Sequence, residues 1–215
     1  MITLLLIGTL ISIFNLRQIN ATPRTIIVPT NYPTISMALK FANDGDTIYV
    51  LNGTYNEDYV SVDKSVRLIG ENKYGTIING SIMIVGDNVE LRGFTIIKVF
   101  PPKTGGYAIL LHRASNVLIE DNIISCNSGS GIYFQTDPGP PPENTTIRGN
   151  NILWYNVSWE TWSPGGIYVG SLINYDYSRT SRRVSIINNH IEGWPDYAVA
   201  GFLSKKNKFI SITLF

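Results

Sequence analysis

The sequence contains a single cysteine, Cys126, among its 215 residues, so a framework of internal disulfides is excluded. Charged residues are also scarce, at 15% of the chain, and the formal net charge at pH 7 is only +1. This balance lacks the basic footprint of a nucleic-acid-binding protein, and no nucleic-acid partner is expected. Hydrophobic residues make up 44% of the chain, which is enough for a buried core and excludes a disordered protein.

Long apolar runs are missing as well, because no segment reaches the roughly 18 apolar residues of a transmembrane candidate. The apolar residues 1–14 are followed by a short polar stretch ending at Ala21, the pattern of a secretory signal peptide. Basic residues are absent from its start, which leaves an uncleaved anchor or a misplaced start codon as alternatives. We expect a secreted or cell-surface protein with no membrane span in the mature chain.

The residues that are plentiful, such as glycine (19) and tyrosine (12), favour short strands and turns. A pattern of alternating apolar residues occurs four times, and Leu91, Ile119, Ile147 and Ile186 hold the same place in it, 28, 28 and 39 residues apart. Periods of this length are typical of solenoids. The four segments are residues 88–96, 116–124, 144–152 and 183–191.

A second family of segments lies between the first ones, each an alternating apolar strand that follows a short turn. These segments are residues 106–111, 129–134, 165–170 and 196–201. Each repeat therefore has two or three short strands and no helix. Strands stacked from successive coils run parallel, and only a stack of coils buries the apolar side of each repeat. The sequence thus predicts an all-β fold, a parallel β-helix.

One column of polar residues is predicted inside this stack. Asn122, Asn150 and Asn189 fall at the same repeat position, and Phe94 precedes them. An asparagine ladder at a coil corner, with its amides bonded to the turns above and below, is the natural role for such a column.

Residues 22–58 differ from the repeats and are expected to form an N-terminal cap and the first strands. Thr34 is placed to cap a short helix whose apolar residues Ile35, Ala38, Leu39 and Ala42 share one face. Such a helix would close the open end of a solenoid.

The coils are predicted over residues 59–204, and residues 205–215 depart from the repeat pattern. The chain ends there without a recognisable cap. We expect either a truncated gene product or end-to-end self-association through the open sheet edge.

At the level of family, residues 32–39 (YPTISMAL), 45–57 (GDTIYVLNGTYNE) and 65–72 (SVRLIGEN) resemble the start of right-handed parallel β-helix proteins of the pectin-lyase-like superfamily. The repeats, such as residues 144–152 (NTTIRGNNI), resemble its NosD-type members, which are carbohydrate-binding and sugar-hydrolysing domains. The resemblance covers nearly all of residues 25–200 and implies a right-handed parallel β-helix, pectin-lyase-like, with a short N-terminal capping helix.

The resemblance is less specific for function, because this architecture hosts lyases, hydrolases, esterases, epimerases and non-catalytic surface proteins. The stretch Gly53–Glu57 is similar to one in pectin methylesterases, but the glutamine, aspartate and arginine segments that accompany it there have no match here. The catalytic segments of polygalacturonases are also unmatched. No cofactor or metal is expected, and calcium is implied only if the protein is a lyase.

A column of outward-facing aromatic residues is the best candidate for a binding site. Alternation turns Leu110, Tyr133 and Tyr168 outward on successive coils, with His112 and Gln135 beside them. Tyrosine faces pack against the C–H face of a pyranose, and their hydroxyls supply hydrogen bonds. The alternative is that tyrosine simply suits exposed strands and stabilises the solenoid.

The loop over residues 154–166 adds three tryptophans to the candidate substrate-binding residues. Trp154, Trp159 and Trp162 are too dense there to remain fully solvated, so they either fold over the coil or face a ligand. Folding over the coil is favoured, because so long a loop needs its own small core.

Charged residues form one further column, in which Arg92, Glu120 and Arg148 take the same outward position on successive coils. We expect mainly a structural ladder of alternating sign, although the arginines would also suit a uronate.

Catalysis has only weak candidates. Asp137, Glu143 and Asp176 lie in loops at one corner of the coils, and a glycosidase pair would need carboxyl groups roughly 5 to 9.5 Å apart. Solvated turn acids are the commoner case. The sequence therefore favours an exported, non-catalytic β-helix that contacts polysaccharide or a cell-surface glycan. The alternatives are a polysaccharide lyase or glycoside hydrolase acting on acidic polysaccharide, and a structural surface-layer or spacer module.

Overall fold

The computed structural model describes residues 22–101, 106–136, 139–154, 165–169, 181–193, 199–201 and 208–214. These residues contain one helix and seventeen strands. In chain order they are β1 (Thr25–Val28), α1 (Ile35–Phe41), β2 (Thr47–Val50), β3 (Gly53–Val62), β4 (Arg67–Gly70), β5 (Thr76–Ile84), β6 (Glu90–Arg92), β7 (Thr95–Lys98), β8 (Tyr107–His112), β9 (Leu118–Glu120), β10 (Ile123–Cys126), β11 (Ser130–Gln135), β12 (Thr146–Arg148), β13 (Asn151–Trp154), β14 (Gly165–Val169), β15 (Ser185–Glu192), β16 (Val199–Gly201) and β17 (Lys208–Leu214).

The strands pair in parallel along three ladders, which we name sheets A, B and C. Sheet A contains β1, β2, β4, β6, β9, β12 and the first parts of β15 and β17. Sheet B contains the first parts of β3 and β5, then β7, β10, β13 and the second parts of β15 and β17. Sheet C contains the second parts of β3 and β5, then β8, β11, β14 and β16. The predicted parallel β-helix is confirmed.

The repeat period sets the register of the coils. Leu91 pairs with Ile119, Ile119 with Ile147, and Ile147 with Ile186, and all four side chains are fully buried. A spacing of 28 residues is therefore one complete turn of the solenoid, and the longer spacing before Ile186 is one turn with a larger loop. Because each coil places the same apolar position over the last, the core is continuous along the axis.

The asparagine ladder is present as predicted, and its members are 0–1% exposed. Asn122 Oδ1 accepts from the Phe94 N–H at 3.1 Å, Asn150 Oδ1 from the Asn122 N–H at 3.0 Å, and Asn189 Oδ1 from the Asn150 N–H at 3.0 Å. Each Nδ2 group donates to backbone carbonyls of its own coil and of the preceding one. The ladder satisfies buried backbone groups that a turn leaves without sheet partners.

A left-handed residue precedes each of these stacked positions. Gly93, Asp121, Gly149 and Asn188 have φ angles of 80°, 52°, 64° and 51°. Glycine, asparagine and aspartate adopt this conformation at the lowest cost, which explains the residue types found at the corner between sheets A and B.

Helix α1 begins after Thr34, whose side chain accepts from the Met37 N–H at 3.1 Å. Its predicted apolar face is confirmed, since Ile35, Ala38 and Leu39 are buried in the same core as the coils. The helix thereby covers the first coil, as expected for a cap.

Candidate functional site

The predicted outward column on sheet C has the expected register. Leu110 pairs with Tyr133, and Tyr133 with Tyr168. The rings of Tyr133 and Tyr168 stack with centroids 5.5 Å apart and planes 12° from parallel. Successive coils therefore build a continuous aromatic surface rather than isolated side chains.

The exposure of this column differs from the expectation of an open platform. Leu110 is 3% exposed and Tyr168 is 8% exposed, while Tyr133 is half-buried. In the stack, the ring of Tyr107 lies against Tyr133, on the side where the register places Leu110.

Two further tyrosines lie on the side of the N-terminal coils, of which Tyr107 joins the ring stack and Tyr59 lies near Tyr107. The Tyr107 ring stacks on Tyr133 with centroids 6.2 Å apart and planes 19° from parallel. Tyr59 is 45% exposed, and its hydroxyl contacts the sulfur of Met83, whose backbone pairs with Leu110. Alternation did not place them in the outward column, because Tyr107 is the first residue of β8 and Tyr59 lies two residues before the position of β3 that is in register with Tyr133.

We call Tyr59, Tyr107, Tyr133 and Tyr168 the tyrosine row. Burial raises the pKa of Tyr59 and of Tyr107, and the neighbouring Tyr107 adds to the rise at Tyr59. Both hydroxyls therefore stay protonated around neutral pH and are able to donate hydrogen bonds.

His112 and Gln135 lie beside the row, as predicted. They are paired in the sheet, and His112 Nδ1 is 3.0 Å from Gln135 Oε1. Both side chains are half-buried. They add polar hydrogen-bonding groups at one margin of the aromatic surface.

The tryptophan loop is only partly described. Trp154, at the end of β13, is half-buried and packs against the core, which agrees with the favoured interpretation that it folds over the coil. Trp159 and Trp162 lie outside the described residues.

The catalytic candidates are not assembled within the described part of the chain. Glu143 is 29% exposed at its side chain and accepts from Arg183 Nη2 at 2.9 Å. Asp137 and Asp176 lie outside the described residues. No group of three or more His, Cys, Asp or Glu residues that is suited to a metal ion occurs among the described ones.

The charged column on sheet A has the predicted register, with Arg92 opposite Glu120 and Glu120 opposite Arg148. Its ion pairs are less regular than expected. Arg148 Nε lies 2.8 Å from Glu120 Oε1, whereas Arg92 Nε lies 2.6 Å from Glu90 Oε1 of its own strand.

Within the described residues, no helix has both the length and the apolar character needed to cross a bilayer.

Several solved structures share this architecture at low sequence identity. An alginate lyase from Paenibacillus sp. str. FPU-7 superposes with a TM-score of 0.62 at 16% identity, over 88% of this chain and 74% of that one. The ORF18 protein of Geobacillus virus E2 has a TM-score of 0.52 at 18% identity, over 75% of this chain and 32% of that one. A pectin methylesterase in complex with a hexasaccharide has a TM-score of 0.51 at 10% identity, over 88% of this chain and 93% of that one. At these identities the likeness establishes the fold.

None of the curated proteins matches the sequence. The family model described as "Right handed beta helix region" does match, over residues 80–209. That match spans more than half of the chain and covers coils whose strands pair in parallel on all three sheets. The chain therefore belongs to the right-handed β-helix family, with a pectin-lyase-like fold.

Proposed function

We propose that the protein is exported and contacts polysaccharide at the cell surface without cleaving it, through the tyrosine row on sheet C. The observation that carries this proposal is the stack of Tyr107, Tyr133 and Tyr168, with centroid separations of 6.2 and 5.5 Å. The fold is also shared with solved structures named as an alginate lyase and a pectin methylesterase.

The shape of the row favours a chain over a single sugar. Neighbouring strands lie about 4.8 Å apart, so β8, β11 and β14 each add one ring along the solenoid axis. Because these rings stack on one another, an extended polysaccharide running along that axis would meet the edges and hydroxyl groups of successive tyrosines. The hydroxyl groups of the tyrosines, together with His112 and Gln135, would serve its hydroxyls.

The accessible part of the row lies toward the N-terminal coils. Tyr59 is 45% exposed and Tyr133 is half-buried, whereas Tyr168 is 8% exposed. Sugar contact is therefore assigned to Tyr59, Tyr107 and Tyr133, and Tyr168 supports the stack from one side. We extend the same proposal to Trp159 and Trp162 as further substrate-binding residues.

Affinity electrophoresis of the full chain through gels that contain single polysaccharides tests this proposal. Tyr59→Ala and Tyr133→Ala should each weaken retention about tenfold, which corresponds to about 1.4 kcal/mol. Tyr74→Ala is the matched control, because Tyr74 is 72% exposed in the turn between β4 and β5 and lies outside the row. Equal retention of the control and the row variants would contradict the assigned surface.

Each polysaccharide that binds should also be assayed for release of reducing or unsaturated ends. Release of such ends would contradict the proposal and indicate a lyase or glycoside hydrolase. The candidate catalytic residues to test would then be Asp137, Glu143 and Asp176. A protein that is retained by no polysaccharide would instead be a surface-layer or spacer module. N-terminal sequencing of exported protein should find a start at residue 22, and recovery of the protein only inside the cell would contradict export.

A further inference from the structure

The outward face of sheet A presents two neighbouring columns of charged residues. In the first column, Arg67 pairs with Glu90 on the next coil. In the second, Arg92, Glu120 and Arg148 follow one another on successive coils. This face is formed by other strands than the tyrosine row, which lies on sheet C.

Two arginines share one carboxylate in this arrangement. Glu90 accepts from Arg67 Nε at 2.7 Å and from Arg92 Nε at 2.6 Å. Arg92 lies opposite Glu120 in the sheet, yet Glu120 pairs with Arg148 instead. A purely structural ladder of alternating sign has no need of this additional arginine.

Each of the three arginines contacts a carboxylate through its Nε atom and keeps about half of its side chain exposed. All three ion pairs use Nε, while the side chains of Arg67, Arg92 and Arg148 stay 51%, 42% and 50% exposed. The two carboxylates are less exposed, at 21% for Glu90 and 29% for Glu120. The glutamates therefore orient guanidinium groups whose side chains stay about half exposed to solvent.

A groove of about 530 Å³ lies on this face and is lined by Glu90, Arg92, Glu120, Asp121 and Gly149. Arg148 stands beside the groove, since it precedes Gly149 in the chain and pairs with Glu120. The groove floor is unobstructed at Gly149, where a Cβ would meet no atom within 4 Å. Lys73 reaches the groove margin and pairs with Asp121.

We infer that this groove, here named the arginine groove, binds the carboxylate or sulfate groups of an anionic polysaccharide through Arg92 and Arg148. Guanidinium forks bind planar oxyanions in a bidentate manner. Orientation in advance lowers the entropy lost when the ligand binds. Arg92 and Arg148 are two coils apart, or roughly 9.6 Å at the usual strand spacing, which suits anionic groups repeated along a chain. The site is independent of the tyrosine row.

Calorimetric titration of the full chain with dextran sulfate, polygalacturonate and neutral dextran tests the inference. At least one of the two anionic polymers should bind and neutral dextran should not bind in the groove. The affinity should fall with rising salt, because the contacts are ionic. Binding of dextran sulfate alone or of polygalacturonate alone would each support the site and identify the preferred anion.

The variant Arg92→Gln/Arg148→Gln should weaken anionic binding at least tenfold. Arg183→Gln is the matched control, because Arg183 is 58% exposed and pairs at 2.9 Å with Glu143, which does not line the groove. It should change the affinity less than twofold. The charge-conserving variant Arg92→Lys/Arg148→Lys should bind more weakly than the wild type, since lysine lacks the planar fork.

Three results would overturn the inference: no binding of either anionic polymer, unchanged affinity in the double glutamine variant, or an equal loss in Arg183→Gln, which would indicate net charge alone. Thermal unfolding by circular dichroism establishes that each variant is folded. Tyr133→Ala should retain anionic binding, so failure of the tyrosine-row proposal and failure of the arginine groove are distinguishable.

Discussion

Glu57 and Lys64 hold opposite ends of helix α1. The Glu57 carboxylate accepts from the N–H groups of Ile35 at 2.7 Å and Ser36 at 2.9 Å. The Lys64 ammonium donates to the carbonyls of Leu39, Lys40 and Ala42 at 2.9, 2.9 and 2.7 Å. An acid at the N-terminus and a base at the C-terminus complement the helix dipole and satisfy backbone groups that the helix leaves open. Glu57 thus has a structural role within the stretch that resembles pectin methylesterases.

Removing the contacts of Lys64, which together with those of Glu57 we call the helix clamp, should destabilise the N-terminal cap. Lys64→Met leaves three carbonyls without their charged donor, and we expect the free energy of unfolding to fall by about 2 kcal/mol. Urea denaturation followed by circular dichroism measures the change. Lys40→Met is the control, because the Lys40 side chain is exposed on the same helix and only its backbone contacts Lys64. An equal loss in both variants would show that the helix clamp contributes nothing specific.

Replacing an asparagine of the buried ladder should lower the free energy of unfolding far more than replacing an exposed asparagine at another corner. Asn150→Ala removes the acceptor of the Asn122 N–H and the donor to two carbonyls, so we expect a loss of about 3 kcal/mol or more. Asn116→Gly is the comparison, because Asn116 stacks by its amide on Asn88 at an exposed left-handed corner that glycine tolerates. Its expected loss is below about 1 kcal/mol. Similar losses in chemical denaturation would contradict the assigned role of burial.

Asp46 should make stability depend on pH in the acidic range. Burial of its carboxyl group raises its pKa, but hydrogen bonds from the backbone of Asn43 and Arg24 and from the Arg24 guanidinium outweigh that effect, so the pKa is lowered overall. A carboxyl group with a lowered folded pKa stabilises above its unfolded pKa of about 3.9, and that contribution is lost as pH falls through the folded value.

The variant Asp46→Asn tests this dependence. At pH 7 it should be less stable than the wild type, and the difference should shrink as the pH is lowered below about 3.9. Urea denaturation at a series of pH values measures the difference. A gap that stays constant down to the acid limit would exclude Asp46 as its source.

Cys126 should be chemically inert in the folded protein. Its side chain is fully buried on strand β10, and burial raises the pKa of the thiol to about 12. Because the thiolate is the reactive form, alkylation by iodoacetamide at pH 8 should follow the rate of unfolding. Reaction of the native protein at the rate of a small free thiol would contradict the burial of this residue.

The coil register was predictable from the sequence because the same positions recur with a fixed period. Leu91, Ile119 and Ile147 recur every 28 residues, and stacking such repeats leaves one way to bury all of them together. The asparagine ladder follows from the same period. The helical cap was predictable from local signals, namely a capping threonine and one apolar face.

The candidate site was only partly predictable. Alternation identified Tyr133 and Tyr168 as neighbours, but it did not reveal that Tyr107 and Tyr59 join the row. Alternation assigns a side chain to one side of its own strand. It does not give the reach of a long side chain toward the adjacent coil, which depends on rotamers and neighbours.

The sequence by itself thus determined the β-helix, its register and its buried polar column, because each follows from periodicity and residue type. The tertiary structure decided which surface residues meet. It buried Tyr168, gave Glu90 two arginines while Glu120 pairs with Arg148, and placed Glu57 and Lys64 at the two ends of one helix. Such contacts join residues from different coils or corners, and their geometry exists only after the chain has wound into its coils.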